Sequence, residues 1–151
     1  MTIPPRGYDA SGRATRGVLD ETVLLLLDTT VLIDYLRGRP VVARVHALVE
    51  RGDVLCTSPV NVEEIVRGLR PNEGSAADQL FDGLRVVPIG RPEGRQAGEW
   101  RRRFATRGTT LSQADCLIAA AAHASAAVLA TGNPRHFPMT EVEVEHWPVG
   151  E

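Results

Sequence analysis

The chain has 151 residues, of which 43% are hydrophobic, and a formal net charge of −2. That length suits one domain with a substantial core, and the slightly acidic balance excludes a chain that holds nucleic acid by overall positive charge. All 17 basic residues are arginine, a bias for which genome composition is the plain cause, so every mechanism that requires a lysine is excluded. Cys56 and Cys116 sit in apolar segments without paired Cys or Cys/His spacing. They read as small core residues in a reducing, cytoplasmic compartment, not as a disulfide or thiolate metal site. No run approaches the ~18 apolar residues of a membrane span, and no leader pattern is visible.

Residues 1–21 are rich in Gly, Pro, Arg, Ser and Thr and are expected to form a flexible tail ahead of a domain over 22–148. Five consecutive aliphatic residues, Val23 to Leu27, then end in Asp28, Thr29 and Thr30. A continuous apolar run bounded by polar residues reads as a strand buried on both faces. Asp28 falls at its carboxyl end, the edge where open α/β sheets bind ligands. Thr29 and Thr30 are expected to cap a helix over 30–37, which Gly38 ends. Pro40 opens a helix over 41–51 with Val42, Val45, Leu48 and Val49 on one face. A strand at 54–57 leads to a helix capped by Ser58, with Pro59 at its first position and an apolar stripe of Val62, Ile65, Val66 and Leu69 up to Gly68.

A helix over 75–84, a short strand over 85–88 and a helix over 93–107 follow, the last with Ala97, Trp100 and Phe104 at helical spacing. Ser112 caps a strongly apolar helix from Ala114 to His123. Strands at 128–131 and 142–144, joined through a turn at 132–134, complete the pattern. Strands alternating with helices predict an α/β fold, a mainly parallel central sheet with helices on both faces.

Three carboxylates occupy positions suited to chemistry: Asp28, Glu64 and Asp115. Each also has a bland reading. Asp28 can be a helix cap, with Asp34 as a more exposed rival. Asp115 can be there to meet the helix dipole, worth about 0.3–1 kcal/mol. Glu64 competes with Glu63. Positions 61, 64 and 68 share a face near the apolar stripe, whereas Glu63 and Arg67 make an ordinary i,i+4 pair. Glu64 is therefore assigned to the cleft and Glu63 to solvent. Three acids at one sheet edge would repel one another, and a divalent cation resolves this. Oxygen donors without Cys or His point to Mg2+ or Mn2+.

Four segments, in order, resemble the PIN domain, and within it the VapC-type toxins of bacterial toxin–antitoxin pairs. They are Leu27-Asp28-Thr29-Thr30-Val31-Leu32-Ile33-Asp34, Ser58-Pro59-Val60-Asn61-Val62-Glu63-Glu64, Leu111-Ser112-Gln113-Ala114-Asp115, and Thr131-Gly132-Asn133-Pro134-Arg135-His136-Phe137. The resemblance spans roughly residues 23 to 147 and implies a three-layer α/β/α PIN-like fold. It places the acids of a metal-dependent endoribonuclease on Asp28, Glu64 and Asp115. A fourth metal-ligating position falls on Asn133, an amide that adds no charge. His136, where many relatives carry a further acid, is left out of the catalytic set. In such an enzyme Mg2+ or Mn2+ brings a water toward hydroxide and stabilises charge on the scissile phosphate, through one ion or two.

The resemblance further implies an RNA substrate, a small VapB-type antitoxin that blocks the acidic site with an arginine, and a homodimer. Thr30 is a candidate for contact with a phosphate or water, with a plain helix cap as the other reading. Arg101, Arg102 and Arg103 are candidates for RNA phosphate contacts, which give affinity without sequence choice. The other reading of that helix is a solvated face with Trp100 and Phe104 in the core. The competing function is a catalytically weak PIN-like binding module, which Asn133 keeps open. A phosphorelay receiver and a Walker A nucleotide site both fail for want of lysine. A dinucleotide site fails because no Gly-x-Gly-x-x-Gly follows the first strand.

Overall fold

The computed structural model describes residues 7–8, 14–15 and 23–151. The expected flexible tail over 1–21 lies outside the described residues, apart from β1 (Gly7–Tyr8) and β2 (Ala14–Thr15), which pair antiparallel. The main sheet has five strands: β3 (Leu24–Leu27), β4 (Val54–Thr57), β5 (Arg85–Val86), β6 (Val128–Thr131) and β7 (Val144–His146). Their order is β5-β4-β3-β6-β7, and every pairing is parallel. The helices are α1 (Thr29–Leu36), α2 (Val41–Glu50), α3 (Pro59–Arg67), α4 (Gly74–Asp82), α5 (Arg91–Ala105) and α6 (Gln113–Ala124), with a 3-10 turn at Pro134–His136.

The alternation of β3 divides the core into two layers. Leu25 and Leu27 pack with Val31 and Leu32 of α1, Val45 of α2, Ile65 of α3 and Leu80 of α4. Leu26 faces the other way, toward Trp100 of α5 and Ile118 and Ala122 of α6. All three leucines are at most 1% exposed, and burying each contributes roughly 1.5–3 kcal/mol. The result is a three-layer α/β/α fold. The small side chains Ala119 to Ala122, all buried, let α6 lie against the sheet and α5.

Several boundaries differ from the sequence expectation for physical reasons. Neither Thr29 nor Thr30 caps α1. Asp28 occupies the cap position without a capping bond, and both hydroxyls are used elsewhere. Helix α5 begins at Arg91, before the expected position 93, because Glu93 accepts the Gly90 N–H at 3.0 Å and Pro92 suits the first turn. The last strand is 144–146, not 142–144. Val142 is buried in the core, but pairing begins at Leu129↔Val144. Val49 and Val66, expected on apolar stripes, are each 54% exposed, because among the described residues no element covers those flanks of α2 and α3.

The topology decides where a site can form. Chain connections from β3 and β6 lead to opposite sides of the sheet, so the carboxyl ends of these adjacent strands flank a crevice. Asp28 directly follows β3, and Thr131 ends β6.

Candidate active site

Asp28 is 6% exposed. Its backbone N–H donates to the Ala130 carbonyl at 2.9 Å, which continues the β3–β6 ladder by one residue and fixes the side chain at the crevice. The Thr131 hydroxyl donates to Asp28 Oδ2 at 2.7 Å, and Asn61 Nδ2 donates to Oδ1 at 3.2 Å. Both partners are fully buried. A buried carboxylate is costly unless such donors compensate it. Burial pushes the Asp28 pKa above its ordinary value, the Asp115 charge adds to the rise, and the hydrogen bonds only partly offset it.

Asn61 is the hub. Its side-chain oxygen accepts the Ser58 N–H and hydroxyl at 3.2 and 2.6 Å, closing the first turn of α3. Its amide nitrogen reaches both Asp28 and the Thr29 hydroxyl, at 3.2 and 3.1 Å. Thr29 passes the connection on by donating to Glu64 Oε1 at 2.8 Å. Glu64, one helical turn after Asn61, thus points into the crevice. Glu63 stays exposed and pairs with Arg67 at 3.4 Å. Burial raises the Glu64 pKa, and the Asp28 and Asp115 charges raise it further against the lowering effect of the Thr29 bond.

Asp115 sits in the first turn of α6, where its backbone N–H bonds the Ser112 hydroxyl at 3.1 Å. The structure thus brings Asp28, Glu64 and Asp115 into one electrostatic neighbourhood. His136 joins them, with Nδ1 at 3.4 Å from Asp115 Oδ2. Asn133 is exposed, and its backbone N–H is tied to the Thr131 hydroxyl at 3.0 Å. Thr30 accepts the Gly132 N–H at 2.8 Å and so anchors the turn that carries Asn133. Asp34, the rival acid expected to be more exposed, is 3% exposed. It is bound to Arg39 and to the Gly150 N–H, which makes it a structural clamp.

The arginine triplet does not form one surface. Consecutive helical residues point about 100° apart. Arg101 donates to the Leu111 carbonyl at 3.1 Å, close to the start of α6. Arg103 instead makes paired bonds to Glu141 at 3.0 and 3.1 Å. Arg102 is exposed between them. Trp100 and Phe104 belong to the core, at 1% and 9% exposure.

The donor set consists of carboxylate oxygens with a neighbouring imidazole, and two of the acids resist ionisation because of burial and mutual repulsion. Such a set fits a hard divalent cation, which relieves both penalties. Among the described residues no three His, Cys, Asp or Glu side chains are gathered tightly enough to hold an ion by themselves. Water and substrate oxygens would complete its shell, the arrangement Mg2+ prefers.

A family model, the PIN domain, matches residues 25–142. The chain belongs to the PIN domain family. Its VapC relatives include ribonuclease VapC19 of Mycobacterium tuberculosis, 34% identical over 115 residues, which cover 76% of this chain and 92% of the relative. Ribonuclease VapC10 of the same organism is 37% identical over 119 residues, covering 78% and 89%. Among solved structures, the fold is similar to VapBC2 of Rickettsia felis bound to a promoter DNA fragment, with a TM-score of 0.74 at 20% identity. That match covers 83% of this chain and 99% of the other. FitAcB of Neisseria gonorrhoeae gives a TM-score of 0.63 at 29% identity over 80% and 95% of the two chains. This PIN domain thus places Asp28 at the sheet edge where its fold forms a crevice. Asn61, Thr131 and Thr29 hydrogen-bond the acids, and the acid pattern alone does not find them.

Proposed function

We propose that this PIN domain is a metal-dependent endoribonuclease and the toxin of a VapBC-type toxin–antitoxin pair, acting in the cytoplasm. The observation that carries the reading is the buried Asp28 carboxylate, held by Thr131 and Asn61 at the sheet's switch point beside Glu64 and Asp115. The ribonuclease names of the VapC relatives support the chemistry.

Asp28, Glu64 and Asp115 would hold Mg2+ or Mn2+, with Asn133 at the rim. Such an ion would supply charge neutralisation at the scissile phosphate and a more nucleophilic water. Asn61 and Thr131 fix the Asp28 oxygens, so that the carboxylate needs no reorganisation when substrate arrives. Thr29 orients Glu64 in the same way. Arg101, bonded to the Leu111 carbonyl near the start of α6, would meet an RNA phosphate. Arg103 is committed to Glu141, and Thr30 acts on the turn before it acts on RNA.

The partner would be a VapB-type antitoxin. A small pocket, large enough for about one water, is lined by Ile33, Leu36, Arg37, Glu64, Ile65 and Glu73. A peptide lying across this surface would carry a basic residue to the acids. A homodimer belongs to the same proposal.

The test is cleavage of total cellular RNA by antitoxin-free protein with Mg2+, Mn2+ or EDTA, beside the Asp115→Asn variant. Discrete fragments that require both metal and Asp115 are expected. Well-folded protein that cuts under none of these conditions would move the reading to a PIN-like binding module.

A further inference from the structure

One face of α1 grips the chain beyond two different strands. Thr30 and Asp34 stand at i and i+4 of the helix, one above the other. The Thr30 hydroxyl accepts the Gly132 N–H at 2.8 Å, just after β6. Asp34 Oδ2 accepts the Gly150 N–H at 2.8 Å, beyond the end of β7. The other oxygen, Oδ1, is bonded to Arg39. A carboxylate buried to 3% exposure is costly unless it is paired, and one of its partners here is a backbone N–H 116 residues away.

The segment that leads from β7 to Gly150 lies against the turn after β6. The Trp147 N–H donates to the Thr131 carbonyl at 2.8 Å. Trp147 is buried, and the Arg44 guanidinium stacks on its ring at 3.8 Å. A Cβ on Gly132 would meet both the Trp147 carbonyl and the Val149 side chain. Gly150 has φ +86°, a left-handed conformation that glycine adopts without steric cost. These contacts close a ring. Asp34 holds Gly150, Trp147 holds Thr131 and abuts Gly132, Gly132 is tied to Thr30, and Thr131 is bonded to Asp28.

We propose that Asp34 is a positioning residue for the acidic site: by latching Gly150 it keeps residues 147–150 on the turn after β6, and so holds Thr131 where its hydroxyl orients Asp28. Its effect on cleavage rests on the ribonuclease reading above. A backbone N–H bonded to a charged acceptor makes one of the stronger hydrogen bonds, so this latch is the firm end of the segment. Arg39 and Gly150 use different oxygens of Asp34, and the ion pair and the latch can therefore be removed separately.

The test compares variants of the full chain by amide exchange at 131–136 and by kcat and KM for RNA cleavage. Asp34→Ala removes latch and ion pair together. Gly150→Pro removes the latch alone, because proline has no N–H and cannot take a positive φ. Arg39→Gln removes the ion pair alone, and Asp34→Asn keeps an oxygen for Gly150. Asp34→Ala and Gly150→Pro should each speed exchange at 131–136 at least about tenfold. Both should lower kcat about tenfold with KM nearly unchanged, since Asp34 acts on the placement of Asp28 and not on RNA. Arg39→Gln and Asp34→Asn should match the unsubstituted protein in both readouts. Gly150 is exposed, so Gly150→Pro should fold even where Asp34→Ala does not, and thermal melting checks it. Exchange or kcat unchanged in Gly150→Pro overturns the proposal, as does an equal loss in Arg39→Gln. If the unsubstituted protein cuts no RNA, the ribonuclease reading falls, and the exchange rates alone decide whether Asp34 holds the turn.

Discussion

The Thr131 hydroxyl joins the two halves of the site: it donates to Asp28 Oδ2 at 2.7 Å, across 103 residues of chain, and accepts the Asn133 N–H at 3.0 Å. One fully buried oxygen thus sets both the orientation of the central acid and the path of the turn that leads to His136. Thr131→Val keeps the shape and removes both bonds. The buried carboxylate oxygen and the backbone N–H then lose a partner, at a cost of about 1–3 kcal/mol. Melting temperature should fall and RNA cleavage should drop at least about tenfold. Thr131→Ser should recover most of both. Unchanged activity in the valine variant would mean that Asp28 is oriented by Asn61 alone.

The pKa directions give a pH dependence. Asp28 and Glu64 both have folded pKa values above their ordinary ones, chiefly through burial. Their contribution to stability is therefore fully present below the unfolded values near 4, and is lost as pH rises through the folded values. Metal-free protein should lose stability relative to Asp28→Asn between about pH 4 and neutrality, and the two should converge in acid. Mg2+ or Mn2+ should raise the melting temperature of the unsubstituted protein at neutral pH and leave Asp28→Asn unmoved. Thermal melts across pH, with EDTA and with metal, measure both effects.

Much of this arrangement was legible in the sequence, for identifiable reasons. The aliphatic run before Asp28 reads as a doubly buried strand, and a strand followed by Thr-Thr-Val-Leu leaves the acid at the edge. Helical phase separated Glu64 from Glu63 because Asn61 and Ile65 mark the inner side. Other features depend on contacts between distant segments. Thr29 and Thr30 look like caps locally, yet one serves Glu64 and the other Gly132. Asp34 looks like a free acid until the Gly150 N–H reaches it at 2.8 Å. The triple arginine looks like a single patch until Glu141 claims Arg103. The Thr-x-Asn-x-x-His spacing shows the turn, but only the fold brings His136 to Asp115.

Gly132 is held by crowding. A Cβ there would lie 2.5 Å from Val149 Cγ2, 3.2 Å from Thr30 Oγ1 and 3.3 Å from the Trp147 carbonyl oxygen. Val149 is 55% exposed and can yield; the Trp147 backbone cannot. Gly132→Ala should destabilise by about 1 kcal/mol and increase amide exchange across 131–136. Adding Val149→Ala should remove most of the penalty. If the double variant is no better than the single one, the backbone contact and not Val149 is the obstacle.

Glu141 anchors the segment before β7 to α5. Its carboxylate accepts the Trp100 indole N–H at 2.7 Å and both Arg103 bonds, and these hold its pKa down to about 2. A depressed carboxylate stabilises the fold above its unfolded pKa, near 4.5, and that stability is lost as pH falls toward 2. The pair is open to solvent, so screening keeps its worth small. Glu141→Gln should lower the neutral-pH melting temperature by a few degrees and flatten the acid limb of the stability profile between about pH 4.5 and 2. Cleavage should be unaffected, because Glu141 lies with Trp100 and Arg103 and not with the acids around Asp28. A loss of cleavage at full stability would show that Arg103, once anchored, serves the substrate after all.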